Sequence, residues 1–346
     1  MNAKERVLAA LKFQETDRTP AFVLGGDSWC LNEEGLCYDE MYKLPDAGAS
    51  ILVKQYGRFN NDIITAGQSC WLAWANAFGA KLETSRIGRS IEVAPCFTDL
   101  ETDIPQLTDE ELEAKLKENY YIDTMIRQIK EVKKLVGDEI VVSGGTCGPF
   151  TAAATLYGTG EFMKQIAKRN KKIPELLAFT TRVISIINKL FYEAGMDLFV
   201  IAEPVASGDM IAPRTFKQSV IPYFKEFMEN IKDTAPVILH ICGDSGNRVD
   251  FMKDLGVVGF SVDSMVDMEE MLTKADHNFC MVGSLAPSDQ MVLGTPESIT
   301  KESNRLLELA KKNGGGFILA TGCDCPSGVP FENMCALTQA AADFAK

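Results

Sequence analysis

Two soft metal ligands stand two positions apart at the end of an apolar run. The run "VILHIC" covers residues 237–242 and contains His240 and Cys242. In an extended strand, side chains at i and i+2 point to the same face. The chain has only two histidines, but a buried histidine beside a packing cysteine is a common structural arrangement. The pair alone therefore leaves two interpretations open, a packed core or half of a metal site.

A third soft ligand follows another apolar run far along the chain. Cys323 ends the segment "GGFILATGC" and comes directly after Gly322. One imidazole and two thiolates form a ligand set that zinc favours, and three protein ligands leave a fourth position for water or substrate. Cys325 competes for the same role, but it precedes Pro326 in the loop. We therefore prefer Cys323 as the third ligand.

The apolar runs themselves predict the fold. Eight short runs rich in β-branched residues alternate with longer amphipathic segments, as expected for parallel strands buried on both faces. This pattern favours a (β/α)₈ TIM barrel, formed as one domain over residues 1–346, with an N-terminal helical extension and a hairpin inserted within residues 71–95. An open doubly wound sheet is the structural alternative. The predicted strands lie at 21–25, 62–65, 139–145, 197–204, 236–242, 257–263, 279–284 and 315–323.

Barrel enzymes carry their active sites at the carboxyl ends of the strands, so the residues that end these runs are site candidates. Beside the three soft ligands, four such residues stand out: Asp27, Cys147, Glu203 and Asp263. Glu203 precedes Pro204, and its alternative role is that of a helix-capping acid. The second histidine, His277, lies in "KADHNFC", where we expect a surface or strand-start role rather than metal binding.

Composition excludes several classes of partner. The net charge is −13 and no basic cluster is present, which argues against nucleic acid and anionic membranes. No run of about 18 uncharged apolar residues predicts a membrane span. The first residues form a charged amphipathic pattern without the apolar core of a secretory signal, so we expect a cytoplasmic protein. Its ten cysteines are then expected to be reduced.

Three segments resemble one known family over nearly the whole chain. They are "MNAKERVLAALKFQETDRTP" at the start, "LHICGDSGN", and "ATGCDCPSGVPFENMCAL" near the end. Together they resemble the uroporphyrinogen decarboxylase superfamily, in particular its corrinoid-dependent methyltransferase branch. The segment 201–213 also resembles this branch. The resemblance implies a barrel, a zinc ion on His240, Cys242 and Cys323, and methyl transfer between a corrinoid and a thiol that is activated as a zinc thiolate.

The resemblance also implies roles for the other strand-end residues. We expect Glu203 to act as a displaceable fourth ligand or to orient the thiol, and Asp263 to orient His240. Asp27 and Cys147 are expected near the corrinoid. The chain has no D-x-H-x-x-G signature, so the methylated corrinoid is expected as a co-substrate, either free methylcobalamin or bound to a corrinoid protein. The other substrate would be a small thiol or a methylated small molecule.

Four alternatives remain at this point. The first is a short homocysteine methyltransferase, and the second is a demethylase that passes methyl from an O- or N-methyl substrate to cob(I)alamin. The third is uroporphyrinogen decarboxylase itself, whose highly carboxylated substrate needs cations. The segment after the first predicted strand instead carries Asp27, Glu33 and Glu34, and its first arginine is Arg58. The fourth is a metal-binding or corrinoid-escort protein without turnover.

Overall fold

Eight parallel strands form the centre of the molecule in the computed structural model, which describes residues 1–67, 71–83 and 92–345. The sheet order is β1-β10-β9-β8-β7-β6-β5-β2, and every pairing in it is parallel. These eight strands coincide with the eight predicted runs. They are β1 (Ala21–Phe22), β2 (Ile63–Thr65), β5 (Val141–Gly144), β6 (Leu198–Ala202), β7 (Val237–Ile241), β8 (Gly259–Val262), β9 (Cys280–Leu285) and β10 (Phe317–Thr321).

The two edge strands of this sheet meet, and side chains close the barrel there. The Asp62 amide donates to the Ala21 carbonyl over 3.1 Å, and the Ala21 amide donates to Asp62 Oδ2 over 2.8 Å. The Val23 amide donates to Asn61 Oδ1 over 3.0 Å. Arg6 and Arg18 neutralise the buried Asp62 carboxylate, each with an oxygen at 2.7 Å. The closed TIM barrel is therefore confirmed, and the open-sheet alternative is wrong.

The helices surround this barrel in the order expected from the sequence, although several predicted segments are broken in two. The amphipathic pattern of the sequence predicts helices over 109–135 and 160–194; the first range forms α5 and α6, and the second forms most of α8 and α9. The helices are α1 (Ala3–Leu11), α2 (Asp27–Glu33), α3 (Tyr38–Lys43), α4 (Pro45–Arg58), α5 (Asp109–Lys117), α6 (Tyr120–Val136), α7 (Pro149–Tyr157), α8 (Thr159–Ala167), α9 (Ile173–Glu193), α10 (Pro213–Thr215), α11 (Ile221–Asn230), α12 (Val249–Met252), α13 (Met268–Ala275), α14 (Pro296–Lys312) and α15 (Phe331–Asp343). Short 3₁₀ segments lie at Ala73–Phe78 and Pro204–Ala206, and π-helical turns at Phe216–Val220 and Pro287–Val292.

The predicted additions to the barrel are also present. Two short antiparallel strands, β3 (Leu82–Glu83) and β4 (Glu92–Val93), pair within the predicted hairpin, while residues 84–91 lie outside the described residues. Helix α1 begins with a capping box in which Asn2 accepts from the Glu5 amide. Its residues Val7 and Leu11 belong to the inner apolar cluster of the barrel. The N-terminal helix therefore helps to fill the barrel interior.

Alternate residues of each strand separate an inner core from an outer one. In β7, Ile238 belongs to the inner cluster, whereas Leu239 and Ile241 belong to the outer cluster that packs against the helices. In β6, Val200 is an inner residue and Ile201 an outer one. This two-residue period decides which strand-end side chains face the barrel axis and which face the helices. Among the described residues, no helix is long and apolar enough to cross a membrane.

Candidate metal centre

Three predicted ligands come together at the carboxyl ends of β7 and β10. His240 Nε2 lies 3.0 Å from Cys242 Sγ, and Cys242 Sγ lies 3.2 Å from Cys323 Sγ. The three candidate ligand atoms are all within 4.8 Å of one another. The separation of the two sulfur atoms is well beyond the ~2.05 Å of a disulfide bond, and both cysteines are free.

The strand period and one hydroxyl orient His240. The residue has the same parity as the inner Ile238, so its imidazole points into the barrel mouth. Its Nδ1 lies 3.0 Å from Ser261 Oγ on the neighbouring strand β8, and this contact leaves Nε2 directed at the cysteines. A hydrogen bond on one ring nitrogen fixes the ring and the tautomer that offers the other nitrogen to a metal.

The contacts within the cluster shift the pKa values of its three side chains. The hydrogen bond between Cys242 and Cys323, together with the nearby His240, lowers the pKa of Cys323 well below its usual range, even though burial opposes this shift. The hydrogen bond to Cys323 and burial raise the pKa of Cys242. Burial alone would lower the pKa of His240, but the contact with Cys323 raises it. Together, the short contact between the two sulfur atoms and the nearby imidazole favour a thiolate within the cluster.

The donor set fits a zinc ion. Imidazole nitrogen and thiolate sulfur are preferred zinc ligands at about 2.0–2.3 Å, which places tetrahedral ligand atoms about 3.5–3.8 Å apart. The observed contacts of 3.0 and 3.2 Å are a few tenths of an ångström shorter, so small side-chain rotations suffice to admit an ion. Binding would expel any proton that the two thiols retain, because zinc ligates the thiolate form.

The competing cysteine has different surroundings. Cys325 is 1% exposed, and its sulfur lies 3.8 Å from Met334 Sδ. Burial, followed by the charge of Asp324, raises the pKa of Cys325 well above its ordinary value, which opposes formation of a thiolate. It borders the cavity described below, but the group of three possible metal ligands contains Cys323 instead.

A cavity of about 500 Å³ opens above the cluster at the carboxyl end of the barrel. His240, Cys242 and Cys323 line its floor, and two aromatic residues, Tyr38 and Trp71, also border it. Four carboxylates contribute to its wall, and the described lining residues include neither lysine nor arginine. The four are Asp27, Asp263, Asp289 and Asp324.

Asp27 lies in this cavity as the first residue of helix α2, where it is 4% exposed. Burial and the charge of Asp324 raise the pKa of Asp27 to about 7, although backbone amides and Tyr38 act in the opposite direction. Asp324 also lies close over Gly25, since a Cβ atom on that glycine would be 2.2 Å from Asp324 Oδ1. Gly25 has φ +59°, so both the conformation and the close approach require glycine.

Asp263 lies in the cavity, but its contacts differ from the predicted ones. Its Oδ2 accepts from the Gly243 amide over 3.1 Å, and its Oδ1 accepts from the Ser264 hydroxyl over 3.1 Å. The predicted orienting contact to His240 is instead made by Ser261. Asp263 therefore holds the loop that follows Cys242, and it acts on the cluster through that loop.

Glu203 lies on the other side of the barrel wall. Its carboxylate accepts from the Phe150 amide over 3.0 Å, from the Thr151 amide over 2.8 Å and from the Thr151 hydroxyl over 2.6 Å. These contacts place it at the start of α7, which is the capping role that the sequence left as an alternative. Burial raises its pKa to about 7, against the effect of the hydrogen bonds from Thr151 and Phe150. Both oxygens of Glu203 are engaged outside the cavity, so its position does not support the predicted role as a fourth ligand or as a residue that orients the thiol.

Cys147 is also separated from the cavity. Its side chain is fully buried in the outer core, and its backbone pairs with Ala202. Burial, followed by the charge of Glu203, raises the pKa of Cys147 well above its ordinary value. A buried thiol of this kind is inert. The expectation that Cys147 lies near a bound corrinoid is therefore not supported by its position.

Sequence reasoning missed several residues at this site. Ser261 was overlooked, although it lies two positions before Asp263 and therefore shares its inward parity. Asp289 and Asp324 lie in loops, where no periodicity signals which way a side chain points. Trp71 follows β2 but belongs to the predicted insertion, so its place at the cavity could not be read from the strand pattern.

The fold and the cluster together define a class, a (β/α)₈ barrel with a candidate soft-metal centre at the carboxyl ends of its strands. Comparison of the sequence with known protein families identifies the family. The family model described as uroporphyrinogen decarboxylase (URO-D) matches residues 2–344, and the chain belongs to this family.

Among its relatives are methylcobamide:CoM methyltransferases from two archaea. The enzyme of Methanosarcina barkeri is 26% identical over 99% of this chain and 98% of its own length. A second, from Methanosarcina mazei, is 27% identical with the same coverage of each chain. The solved structure of a methyltransferase from Methanosarcina mazei has a TM-score of 0.89, 26% identity and complete coverage of both chains.

Proposed function

We propose that this protein is a zinc-dependent methyltransferase that moves a methyl group from a methylated corrinoid to a thiol. The observation that carries the proposal is the convergence of His240, Cys242 and Cys323, with ligand atoms within 4.8 Å, on the floor of a cavity at the catalytic end of the barrel. The names of the relatives, which act on methylcobamides and CoM, support the same reaction.

The chain's own residues bind and orient the reacting groups. Ser261 holds the imidazole of His240, and Asp263 holds the loop that carries Cys242. A zinc ion on the three ligands would supply an open position that favours the thiolate form of a bound thiol. The cavity of about 500 Å³ admits a small thiol beside this position. Alignment of sulfur with the methyl carbon is the main contribution expected from the protein.

The bonds and electrons of the proposed transfer are exchanged between the two substrates alone. The thiolate sulfur donates an electron pair to the methyl carbon and forms a carbon–sulfur bond. The cobalt–carbon bond breaks, and its electron pair remains on cobalt, which passes from Co(III) to Co(I). The thiol proton is released to solvent. Free methylcobalamin or a methylated corrinoid protein serves as the methyl donor.

The decarboxylase activity named for the family is a weaker candidate. A substrate with many carboxylates needs cationic side chains, whereas the described lining residues contribute four aspartates and no lysine or arginine. Assays with uroporphyrinogen are expected to give no carbon dioxide.

The test combines activity with proton release. The zinc-loaded protein should transfer methyl from methylcobalamin to a small thiol, and removal of zinc with a chelator should abolish the transfer. Calorimetry in two buffers of different ionisation enthalpy should detect release of up to about one proton per thiol bound. Cys242→Ala should release far fewer protons. Thiol binding without any buffer dependence would rule out thiol activation and would favour a demethylase that transfers methyl to Co(I).

A further inference from the structure

The loop that begins with Cys242 is joined to the loop of the preceding strand by contacts between the two backbones. The first loop follows β7 and the second follows β6. The Gly208 amide donates to the Asp244 carbonyl over 2.6 Å, and the Asp244 amide donates to Asp209 Oδ2 over 2.8 Å. A Cβ atom on Gly208 would lie 2.7 Å from the Asp244 carbonyl oxygen. The carboxylate of Asp209 therefore binds the main chain two positions after Cys242.

A buried arginine holds the loop that carries this carboxylate. Arg248 lies at the other end of the loop after β7, directly before α12, and is fully buried. Its Nε donates to the Ala206 carbonyl over 3.0 Å. Its Nη2 donates to the Ser207 carbonyl over 2.9 Å and to the Ile211 carbonyl. These contacts span the turn that contains Asp209, so the carboxylate projects from an anchored backbone.

Carboxylates from both strands that flank β7 fix the main chain after Cys242. Asp209 in the loop after β6 accepts from the Asp244 amide, and Asp263 after β8 accepts from the Gly243 amide over 3.1 Å. Gly243 has φ +69°, and a Cβ atom on it would lie 2.4 Å from Asp209 Oδ2. Both the conformation and the approach of this carboxylate therefore require glycine beside the candidate ligand.

Cys242 depends on these contacts because strand β7 ends at Ile241. Cys242 is the first residue beyond the strand, so the hydrogen bonds of the sheet do not fix it. A donor atom that is already held in place loses less conformational entropy when an ion binds. Residues that hold a ligand therefore contribute to metal affinity without contacting the ion.

We propose that Asp209 is a positioning residue for Cys242, which fixes the main chain after this cysteine and thereby places its sulfur beside His240 Nε2 and Cys323 Sγ. Asp209 is exposed and lies outside the set of described residues that line the cavity. The inference rests on the proposed function, and it adds to the proposed zinc centre a residue that touches neither the ligand atoms nor the substrates.

The zinc affinity of the full-length protein tests this role. Asp209→Ala removes the acceptor of the Asp244 amide and should raise the Kd for zinc by about tenfold. Asp209→Asn keeps an oxygen that accepts this amide, and its Kd should stay within about twofold of the wild type. Asp250→Ala removes an exposed carboxylate from α12, which follows the same loop. It is the matched control and should leave the Kd unchanged. Competition with a chromophoric chelator measures each value.

Double variants show whether Asp209 acts through Cys242. In a Cys242→Ala background, Asp209→Ala should cause no further loss of zinc affinity, because the cysteine that it positions no longer binds the ion. In a Cys323→Ala background, the loss caused by Asp209→Ala should persist. Calorimetric titration with zinc measures the weaker binding of these variants. An equal loss in both backgrounds would overturn the role at Cys242.

The outcomes separate failure of this inference from failure of the proposed function. Unchanged zinc affinity in Asp209→Ala, with methyl transfer retained, would overturn the inference alone, even if the metal-free variant had lost stability. An equal loss of affinity in Asp209→Asn would also overturn it, because charge rather than the hydrogen bond would then be the cause. Weaker zinc binding in Asp209→Ala, together with a wild type that transfers no methyl group, would retain the positioning role and overturn the proposed function. A wild type that binds no zinc would overturn both.

Discussion

The two cysteines of the Cys323-Asp324-Cys325 segment differ in what surrounds their sulfur atoms. Cys323 Sγ faces Cys242 Sγ at 3.2 Å, whereas Cys325 Sγ packs against Met334. Cys323→Ala should therefore reduce bound zinc and methyl transfer by more than about tenfold, because the ion loses a ligand. Cys325→Ala is the matched control and should retain both, with a small loss of stability from the deleted buried sulfur. Elemental analysis and the methylcobalamin assay measure the effect, and the opposite pattern would assign the ligand role to Cys325.

The raised pKa of Asp27 should make the free energy of unfolding depend on pH. Its pKa is raised to about 7 in the folded protein from an ordinary value of 3.8. A carboxyl group whose pKa rises on folding contributes stability below its unfolded pKa and loses it as the pH passes through the folded value. Between pH 4 and pH 8, the wild type should therefore lose about 2 kcal/mol or more of unfolding free energy relative to Asp27→Asn. Urea unfolding at both pH values measures this difference. If the unfolding free energy of the wild type instead increased relative to that of Asp27→Asn as the pH rises, Asp27 would be ionised in the folded protein.

At the scale of elements, the junction of β6 with α7 explains the position of Glu203. Phe199 and Ile201 are outer residues of β6, and Glu203 continues their parity. Its side chain is therefore directed towards the helices, where the amides at the start of α7 donate hydrogen bonds to its carboxylate. A negative group at a helix N-terminus also interacts favourably with the helix dipole. The two-residue alternation of side chains along β6 therefore predicts that Glu203 does not face the cavity.

A substitution at Glu203 should accordingly change stability more than activity. In Glu203→Gln, one acceptor is replaced by an amide group that faces the N–H of Phe150 or Thr151. The expected loss is about 1–3 kcal/mol of unfolding free energy, with kcat/KM for methyl transfer within about twofold of the wild type. Glu308→Gln on the exposed face of α14 is the control. A variant of unchanged stability that has lost its activity would restore a catalytic role for Glu203.

The strands could be predicted from the sequence because each is a short, nearly continuous apolar run. The breaks in the helices were harder to see. The helical period continues on either side of Glu118 and Asn119, but Asn119 accepts from the Tyr121 and Ile122 amides and starts a new helix. Helix α7 was missed, because "PFTAAATLY" is buried on nearly all sides and therefore has no polar face. Tertiary packing, which a local pattern does not report, stabilises such a helix.

At the scale of the whole molecule, the same barrel end carries the cluster, the cavity and several exposed apolar side chains. Met265 and Leu293 follow β8 and β9, with exposed fractions of 69% and 76%. We propose them as contacts for a partner because both follow strands whose carboxyl ends surround the cavity. A corrinoid protein, as the proposed methyl donor, has to approach from this end to present its cobalt to the cavity.

This geometry predicts a difference between the two forms of the methyl donor. Met265→Asp and Leu293→Asp should each lower kcat/KM with a methylated corrinoid protein by about tenfold, since a buried carboxylate at the interface opposes docking. Activity with free methylcobalamin should be retained, because neither residue lines the cavity. Leu135→Asp is the matched control, since Leu135 is 46% exposed but lies near the end of α6, at the opposite end of the barrel. Steady-state assays with both donors measure the effect. An equal loss with free methylcobalamin would mean that the substitutions damage the catalytic site, and an equal loss in Leu135→Asp would mean that added charge alone weakens the encounter.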